Sequence, residues 1–496
     1  MKTKISLLLN LLLISTLSFG ATYTVTNTNA DGDGSLTWAF TAAAAGDTIN
    51  FNFDGTEFTF PSEVTMKSIT IDGLNAYNDQ KVIFKQTAST SYFSLASGIT
   101  GTFKNLIFDG TGIAGNTAIK AVNGSTLTVN SCEFKNINAQ TNNGGAMRVQ
   151  GAASIVNSLF DGNQTSGGYG GGAICIYHDA NVVIDKCTFV NNSSLSTAGS
   201  PNRSGGGAIV VRGTGTAAIP TKLTVSNSTF ANNNSSNFGS AILCSVQSGT
   251  NYIVNVDIIN CTITGNATVA ASGAVETHAN SSGTLNLNLI NTIVTHNVNS
   301  SGYSDVLENK ESATATYTTE LYNTIYGVSS VTPAAGRNCI AIADPAVANI
   351  FDSLETFATD KKRPVLTNVS GQKIAAIPQN SIANGAGIAT LTGFTIPTVD
   401  QVGYDRPATP SIGAVEYHIP TGVSDAVNTE LKMMTKDKII SFTGLSGVSP
   451  VAVYGLTGNL LHQSLVGNNQ EISLDHLLDN LVIVRVNNKS FKAFLK

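Results

Sequence analysis

Between residues 100 and 300 the apolar positions fall in short runs in which every second residue is polar, and three kinds of run follow one another in fixed order. Leu127-Thr128-Val129, Val182-Val183-Ile184, Leu223-Thr224-Val225 and Leu285-Asn286-Leu287 are of the first kind. The second kind is a Cys, Ser or Thr, any residue, and a large apolar residue. It appears as Cys132-Glu133-Phe134, Ser158-Leu159-Phe160, Cys187-Thr188-Phe189, Ser228-Thr229-Phe230, Cys261-Thr262-Ile263 and Thr292-Ile293-Val294, and from the second copy onward an Asn stands three places further on. Gly145-Ala146-Met147, Gly172-Ala173-Ile174, Gly207-Ala208-Ile209, Ser240-Ala241-Ile242 and Gly273-Ala274-Val275 are the third kind. Period-two alternation between Gly, Asn and Ser turns predicts strands. Three such strands per repeat predict an all-β solenoid, the right-handed parallel β-helix. The second phrase recurs at intervals of 26, 29, 41, 33 and 31 residues. A loop between strands lengthens at little entropic cost, so the variation belongs to loops while the strands stay in register.

Stacked coils repeat at the strand spacing of about 4.8 Å, so equivalent residues form rows along the axis. Phe134, Phe160, Phe189 and Phe230 are expected to stack inward as core, Ala146 through Ala274 to line a tightly packed inner face, and the turn Asn and Ser to form hydrogen-bonded ladders. The composition agrees. Only 12% of the 496 residues are charged, while Gly numbers 47 and Asn 50, with 29 of the Asn between residues 101 and 300. That composition excludes coiled coils and long-helix bundles. A net charge of −5 supplies no basic field for nucleic acid.

The ends have a different character. Lys2 and Lys4, an apolar run from Ile5 to Phe19 and small residues at Ser18 to Ala21 predict a secretory signal peptide over residues 1–20. The run is shorter than a membrane span and Asn10 interrupts it, so no transmembrane segment is expected. Residues 21–60 read strand, helix, strand, with Ser35 as N-cap and Gly46 as stop, and are expected to cap the first coil of a β-helix over residues 61–420. After Pro420, alternating runs such as Val451-Ala452-Val453-Tyr454 and Leu481-Val482-Ile483-Val484-Arg485-Val486 predict a small antiparallel β-sandwich over residues 421–496.

Three stretches resemble known families. Tyr23 to Asn29, with Gly34-Ser35-Leu36 and Gly46-Asp47-Thr48-Ile49, resembles the opening of polymorphic outer-membrane-protein-like β-helix proteins. Asp400, Gly403 and Arg406, then Ile412-Gly413-Ala414-Val415-Glu416-Tyr417, are similar to the closing phrases of the choice-of-anchor Q β-helix family, with Ser411 where that family usually has Asp and Gln379-Asn380 where it has Gly-Ser. Val451 to Leu461, with the closing run Val482 to Lys496, resembles the C-terminal sorting domain of the type IX secretion system of Bacteroidetes, with Asn480 in place of a usual Gly. These resemblances imply a secreted or outer-surface β-helix protein whose partner in export is the type IX machinery. They imply no reaction.

Cys132, Cys187 and Cys261 share one slot but alternate with Ser or Thr, so they are about 9.6 Å apart, beyond disulfide reach. Cys175 and Cys244 fall on opposite sides of their strands. Neither a zinc motif nor any other metal site is expected, and Asp31-Gly32-Asp33-Gly34 reads as a turn before the helix. Alternation places one outward row at Lys120, Arg148, Cys175, Val210, Leu243 and Glu276, and a second at Val122, Gln150, Tyr177, Arg212, Ser245 and His278. Arg148, Tyr177, Arg212, Glu276 and His278 are thus expected on one flat face with His178 and Asp179 at its rim. An aromatic ring beside guanidinium groups suits a sugar polymer; an ordinary solvated face is the plain alternative.

Two function classes follow. The first is a monomeric cell-surface adhesin or glycan-binding protein that takes a polysaccharide or host-surface glycan and needs no cofactor. The second is a polysaccharide lyase or glycoside hydrolase of the pectin-lyase-like fold, in which Asp109 and Asp161 flank Lys135 and, for a lyase, Ca²⁺ would be required.

Overall fold

The computed structural model describes residues 20–60, 62–197, 203–246, 251–279, 282–310, 314–358, 360–369 and 371–417. Beyond these it describes 432–436, 438–443, 445, 449–455, 459–467, 470–477, 481–486 and 489–495. The expected signal peptide, apart from Gly20, lies outside the described residues, as do the turn at 456–458 and Asn480. The chain divides into two compact units, 1–417 and 418–496.

The first unit is a right-handed parallel β-helix. Sheet A runs from Thr22–Val25 and Thr48–Phe51 through Thr126–Asn130 to Thr316–Tyr322. Sheet B runs from Glu57–Phe60 through Glu133–Lys135 to Ile325–Tyr326, and sheet C from Val64–Thr65 through Met147–Val149 to Val306–Lys310. Successive coils pair in parallel: Phe134 lies beside Phe108 and Phe160, and Phe189 beside Phe160 and Phe230. Their rings stack almost face on, with centroids between 4.6 and 5.0 Å apart. The helical repeat thereby sets ring spacing equal to strand spacing. Gly145, Gly172 and Gly207 have a separate cause: a Cβ on any of them would come within about 2 Å of the next coil's carbonyl oxygen.

The asparagine surplus has a geometric origin. The turn from sheet A to sheet B carries one left-handed residue per coil, at Asn105, Ser131, Asn157, Lys186, Asn227, Asn260, Asn291 and Asn323. The turn leaving sheet B carries another, at Asn136, Asn191, Asn232 and His296, with Gly162 and Gly265 in the same role. Asn is the side chain that enters this region most readily after Gly. A buried ladder adds the second reason. Asn163, Asn192, Asn233, Asn266 and Asn297 each donate Nδ2 to the Oδ1 of the next member at 2.7–2.9 Å, and the last acceptor is Asp305. Each acceptor also takes the backbone N–H of the member before it. Buried backbone and side-chain groups are thereby satisfied together. Burial pushes the Asp305 carboxyl up to about 7, while its three accepted hydrogen bonds, from Asn297 and Val328, oppose the shift.

The helix Leu36–Ala42 closes the N-terminal end. Ser35 Oγ accepts from Trp38 N at 3.1 Å. Lys67 Nζ donates to the carbonyls of Phe40, Thr41 and Ala43, satisfying the helix's last acceptors. The strands on either side of the helix are already members of sheet A.

Residues 342–417 do not continue the coils. They return along the outer face of sheet B. Thr188 Oγ1 donates to Gln372 Oε1 and accepts from Gln401 Nε2, and Thr229 Oγ1 donates to Gln401 Oε1. Ile350, Phe351, Ala375, Ile377, Ala383 and Ile412 bury Ile293 and Ile325. The Asp-Gly-Arg phrase has a bonding explanation. Asp400 caps its turn by accepting from Val402 N and Tyr404 N, Gly403 adopts φ +96°, and Arg406 reaches the carboxylate of Glu416 at 2.6 Å and Asn227 Oδ1 at 3.1 Å. Ser411 donates both N–H and Oγ–H to Glu416; an Asp there would set a second carboxylate against the first. Gly413 is held at φ +109°, where a Cβ would press on Ile293.

The second unit is the expected small β-sandwich. One sheet holds Lys432–Lys436, Ile439–Thr443 and Glu471–Ser473, and the other Leu460–Val466, Ser449–Tyr454, Leu481–Val486 and Lys489–Phe494, all antiparallel. Ile440, Phe442, Val451, Val453, Leu474, Val482 and Val484 fill the space between them. No helix among the described residues is long and apolar enough to cross a membrane.

Candidate functional site

The uncovered part of sheet B carries the carboxylates and lysine singled out from sequence. Register places Lys85 beside Asp109, Asp109 beside Lys135, and Lys135 beside Asp161, so the three candidates do meet in space. Their charges alternate along the row, yet each is bonded to a partner outside it. Lys135 pairs with Glu133 at 2.5 Å, which also holds Lys81 at 2.9 Å. Asp161 is held by Lys373 Nζ at 2.6 Å, from the returning segment, and by Asn191 Nδ2 at 2.9 Å. Asp109 accepts from the hydroxyl and N–H of Thr111. The lysine that would serve as base is tied to a third carboxylate, and one of the two flanking acids, Asp161, fastens the returning chain.

Sheet C bears the other candidates, and its register places Lys120, Arg148, Cys175, Val210, Leu243 and Glu276 in one row. Tyr177, Arg212, Ser245 and His278 form the next. The expectation of one flat exposed face needs correction. Cys175, Val210, Leu243, Glu276, Arg212, Ser245 and His278 are all buried. Tyr169 and Phe238, on loops between the strands, fold over the sheet and pack with Tyr177 on Cys175, Val210 and Leu243. Alternation fixes the side of the strand on which a residue lies, and a loop then decides whether water reaches it.

Beneath this cover the Arg212 guanidinium lies 3.9 Å from the Tyr169 ring centroid and donates to the Arg203 carbonyl. Arg203 itself lies 4.3 Å over Phe238. Burial, reinforced by Arg203 and Arg212, takes His278 down to about 4, so it is neutral at ordinary pH. Burial raises Glu276, whose carboxylate accepts from Ser272 and Asn309.

The earlier coils leave this face half open, as the last strand does at Leu307 and Asn309. Tyr169 and Tyr177 stack with centroids 5.4 Å apart, and Arg148 stands 5.9 Å from the Tyr177 ring. His178 packs edge-on to Tyr177 at 4.1 Å, lowered by burial and then by Arg148 against the pull of Asp179. Arg148, Gln150, Tyr169, Tyr177, His178 and Asp179 are all partly exposed. The structure therefore keeps Arg148, Tyr177 and His178 as accessible candidates and withdraws Arg212, Glu276 and His278 into the support behind them. Sequence reasoning missed Tyr169, Arg203 and Phe238. The available signal for Tyr169 was an aromatic residue inside the run Gly167 to Gly172, where backbone flexibility otherwise prevails.

No protein-family model and no curated protein sequence matches the chain. Among solved structures, it is similar to a PL6 family alginate lyase, AlyGC, at 12% identity and a TM-score of 0.31, with 80% of this chain and 59% of that chain covered. An arginine-to-alanine mutant of the same lyase gives the same figures. This chain spans about three-fifths of that lyase's length.

Proposed function

We propose that this protein is an exported, surface-delivered β-helix that binds polysaccharide through the open part of sheet C. The observation that carries the reading is the stacked Tyr169–Tyr177 pair with Arg148 at its edge. Two adjoining rings offer a platform for pyranose faces, and a guanidinium beside them offers paired donors for hydroxyls or acidic groups. Export rests on the signal-like residues 1–20 and on the resemblance of residues 421–496 to the type IX sorting domain. The β-helix resembles the choice-of-anchor Q and polymorphic outer-membrane-protein-like proteins, which fits a surface role.

The mature chain is to be incubated with a glycan panel, measuring retention together with new reducing or unsaturated ends. Retention without product, weakened by Tyr177→Ala, is the expected result. Product formation that disappears in Asp161→Ala would replace binding by the lyase or hydrolase reading. Loss of retention on every glycan and cell surface would remove the binding reading. Export is tested by deleting residues 421–496 and fractionating cells, with accumulation in the periplasm as the expected outcome.

A further inference from the structure

The chain has seven arginines, and three of them, Arg148, Arg203 and Arg212, lie on the sheet C face. Elsewhere in the β-helix unit each arginine is matched to a carboxylate: Arg337 to Glu320 at 3.1 Å, Arg363 to Glu355 at 2.8 Å and Arg406 to Glu416 at 2.6 Å. The sheet C arginines are each set against an aromatic ring, as Arg337 is on Tyr322 and Arg363 on Phe357. Lys120, which precedes Arg148 in its row, is matched to Glu63 at 2.8 Å. Arg148 is different: among the described residues it has no carboxylate within ion-pair distance, and its ring contact leaves it partly exposed. In a chain with net charge −5, Arg148 thus stands at a partly exposed aromatic pair with its guanidinium open to a ligand acid.

We infer that the ligand is a carboxylate-bearing polysaccharide, whose sugar ring rests on Tyr177 and whose carboxylate is taken by Arg148. This inference rests on the glycan-binding reading and specifies its ligand class. The geometry favours it because guanidinium and carboxylate match two bonds to two acceptors, whereas a neutral hydroxyl uses only part of that fork. Arg212 and Arg203 act behind the platform. Arg212, stacked on Tyr169, holds that ring in place and adds positive field without touching the ligand. Asp179 follows His178 in the chain and is partly exposed, and Glu276 is buried and bonded within the protein.

The test compares the full mature chain on polygalacturonate and on the same polymer with its carboxyl groups chemically reduced to alcohols. Binding at least about tenfold tighter to the acidic polymer is expected, falling as salt rises. Arg148→Ala and the milder Arg148→Gln are expected to remove most of that preference, weakening binding of the acidic polymer far more than that of the reduced one. Thermal melting of both variants establishes that they fold. Equal affinity for the two polymers, or a preference untouched in both variants, overturns the acidic-ligand inference and leaves glycan binding standing. Equal binding of dextran sulfate overturns the carboxylate specification in favour of any polyanion. Retention on no glycan at all defeats the parent reading instead.

Discussion

Sheets B and C are built from the same coils, yet their outer faces have opposite fates. On sheet B the chain's own residues 342–417 lie over Thr188, Thr229 and Thr262, and the charged positions beyond them are bonded within the protein: Lys135 to Glu133, Asp161 to Lys373 and Asp109 to Thr111. On sheet C the cover comes from short loops, and it stops at Tyr169 and Tyr177, leaving Arg148 with no carboxylate in ion-pair reach among the described residues. The comparison teaches that a row of polar residues on a β-helix is not itself a site. What distinguishes a site is a charged group whose bonding capacity the protein does not use.

The largest expected effect breaks the covered face. Arg406 and Glu416 are nearly inaccessible, so Arg406→Ala leaves a buried carboxylate unmatched and should cost about 3–5 kcal/mol. Urea denaturation measures this, and hydrogen exchange should show residues 372–416 opening ahead of the coils. A loss below about 1 kcal/mol would show that the returning segment is only loosely coupled to sheet B.

Acid comes next, because each face shelters one neutral histidine. His296, in contact with Phe351 of the returning segment, and His278, under Phe238, are both lowered to about 4 by burial. A depressed histidine binds fewer protons in the folded state. Its contribution is complete above the ordinary value near 6.5 and is lost as pH falls through about 4. The two histidine contributions are therefore lost between those limits, offset in part by Asp305 and Glu276, whose raised carboxyls take up protons on folding there. His296→Asn, which retains a side chain suited to φ +63°, should flatten part of the slope in denaturation midpoints taken across that range. An unchanged slope would place the acid sensitivity elsewhere.

Tyr177→Ala addresses the open face. Removing one partly exposed ring should weaken glycan retention about tenfold, in line with ~1–1.5 kcal/mol for a ring contact, while the melting temperature shifts little. A large drop in stability with unchanged retention would make the stacked pair structural. The smallest effect is expected at Lys135→Ala, at most about 1 kcal/mol, because its ion pair with Glu133 is partly exposed and Glu133 keeps Lys81 as a partner. Retention should be unaffected; loss of retention would move the site to sheet B.

Much of this was readable in the chain. The Phe row, the inward Ala series, the Cys/Ser/Thr slot and the strand register all follow from period-two alternation and a fixed strand spacing, which act between nearest coils. Ser35 as a helix cap is equally local. The candidate site was only half legible. Arg148, Tyr177 and Arg212 were placed on the correct side of sheet C, but the burial of Arg212 depends on Tyr169, which belongs to a loop outside the repeating strands. Asp109, Lys135 and Asp161 were correctly grouped, while the partner that holds Asp161 is Lys373, more than two hundred residues further along.

The sequence by itself determined the solenoid, its rows and the side of each strand on which a residue stands, because those follow from the alternation of neighbouring residues and the stacking of equivalent ones. Only the tertiary structure decided which outward residues meet water. That outcome depends on where the loops and the returning segment 342–417 find apolar surface to bury, and their partners lie at sequence separations that no local pattern encodes.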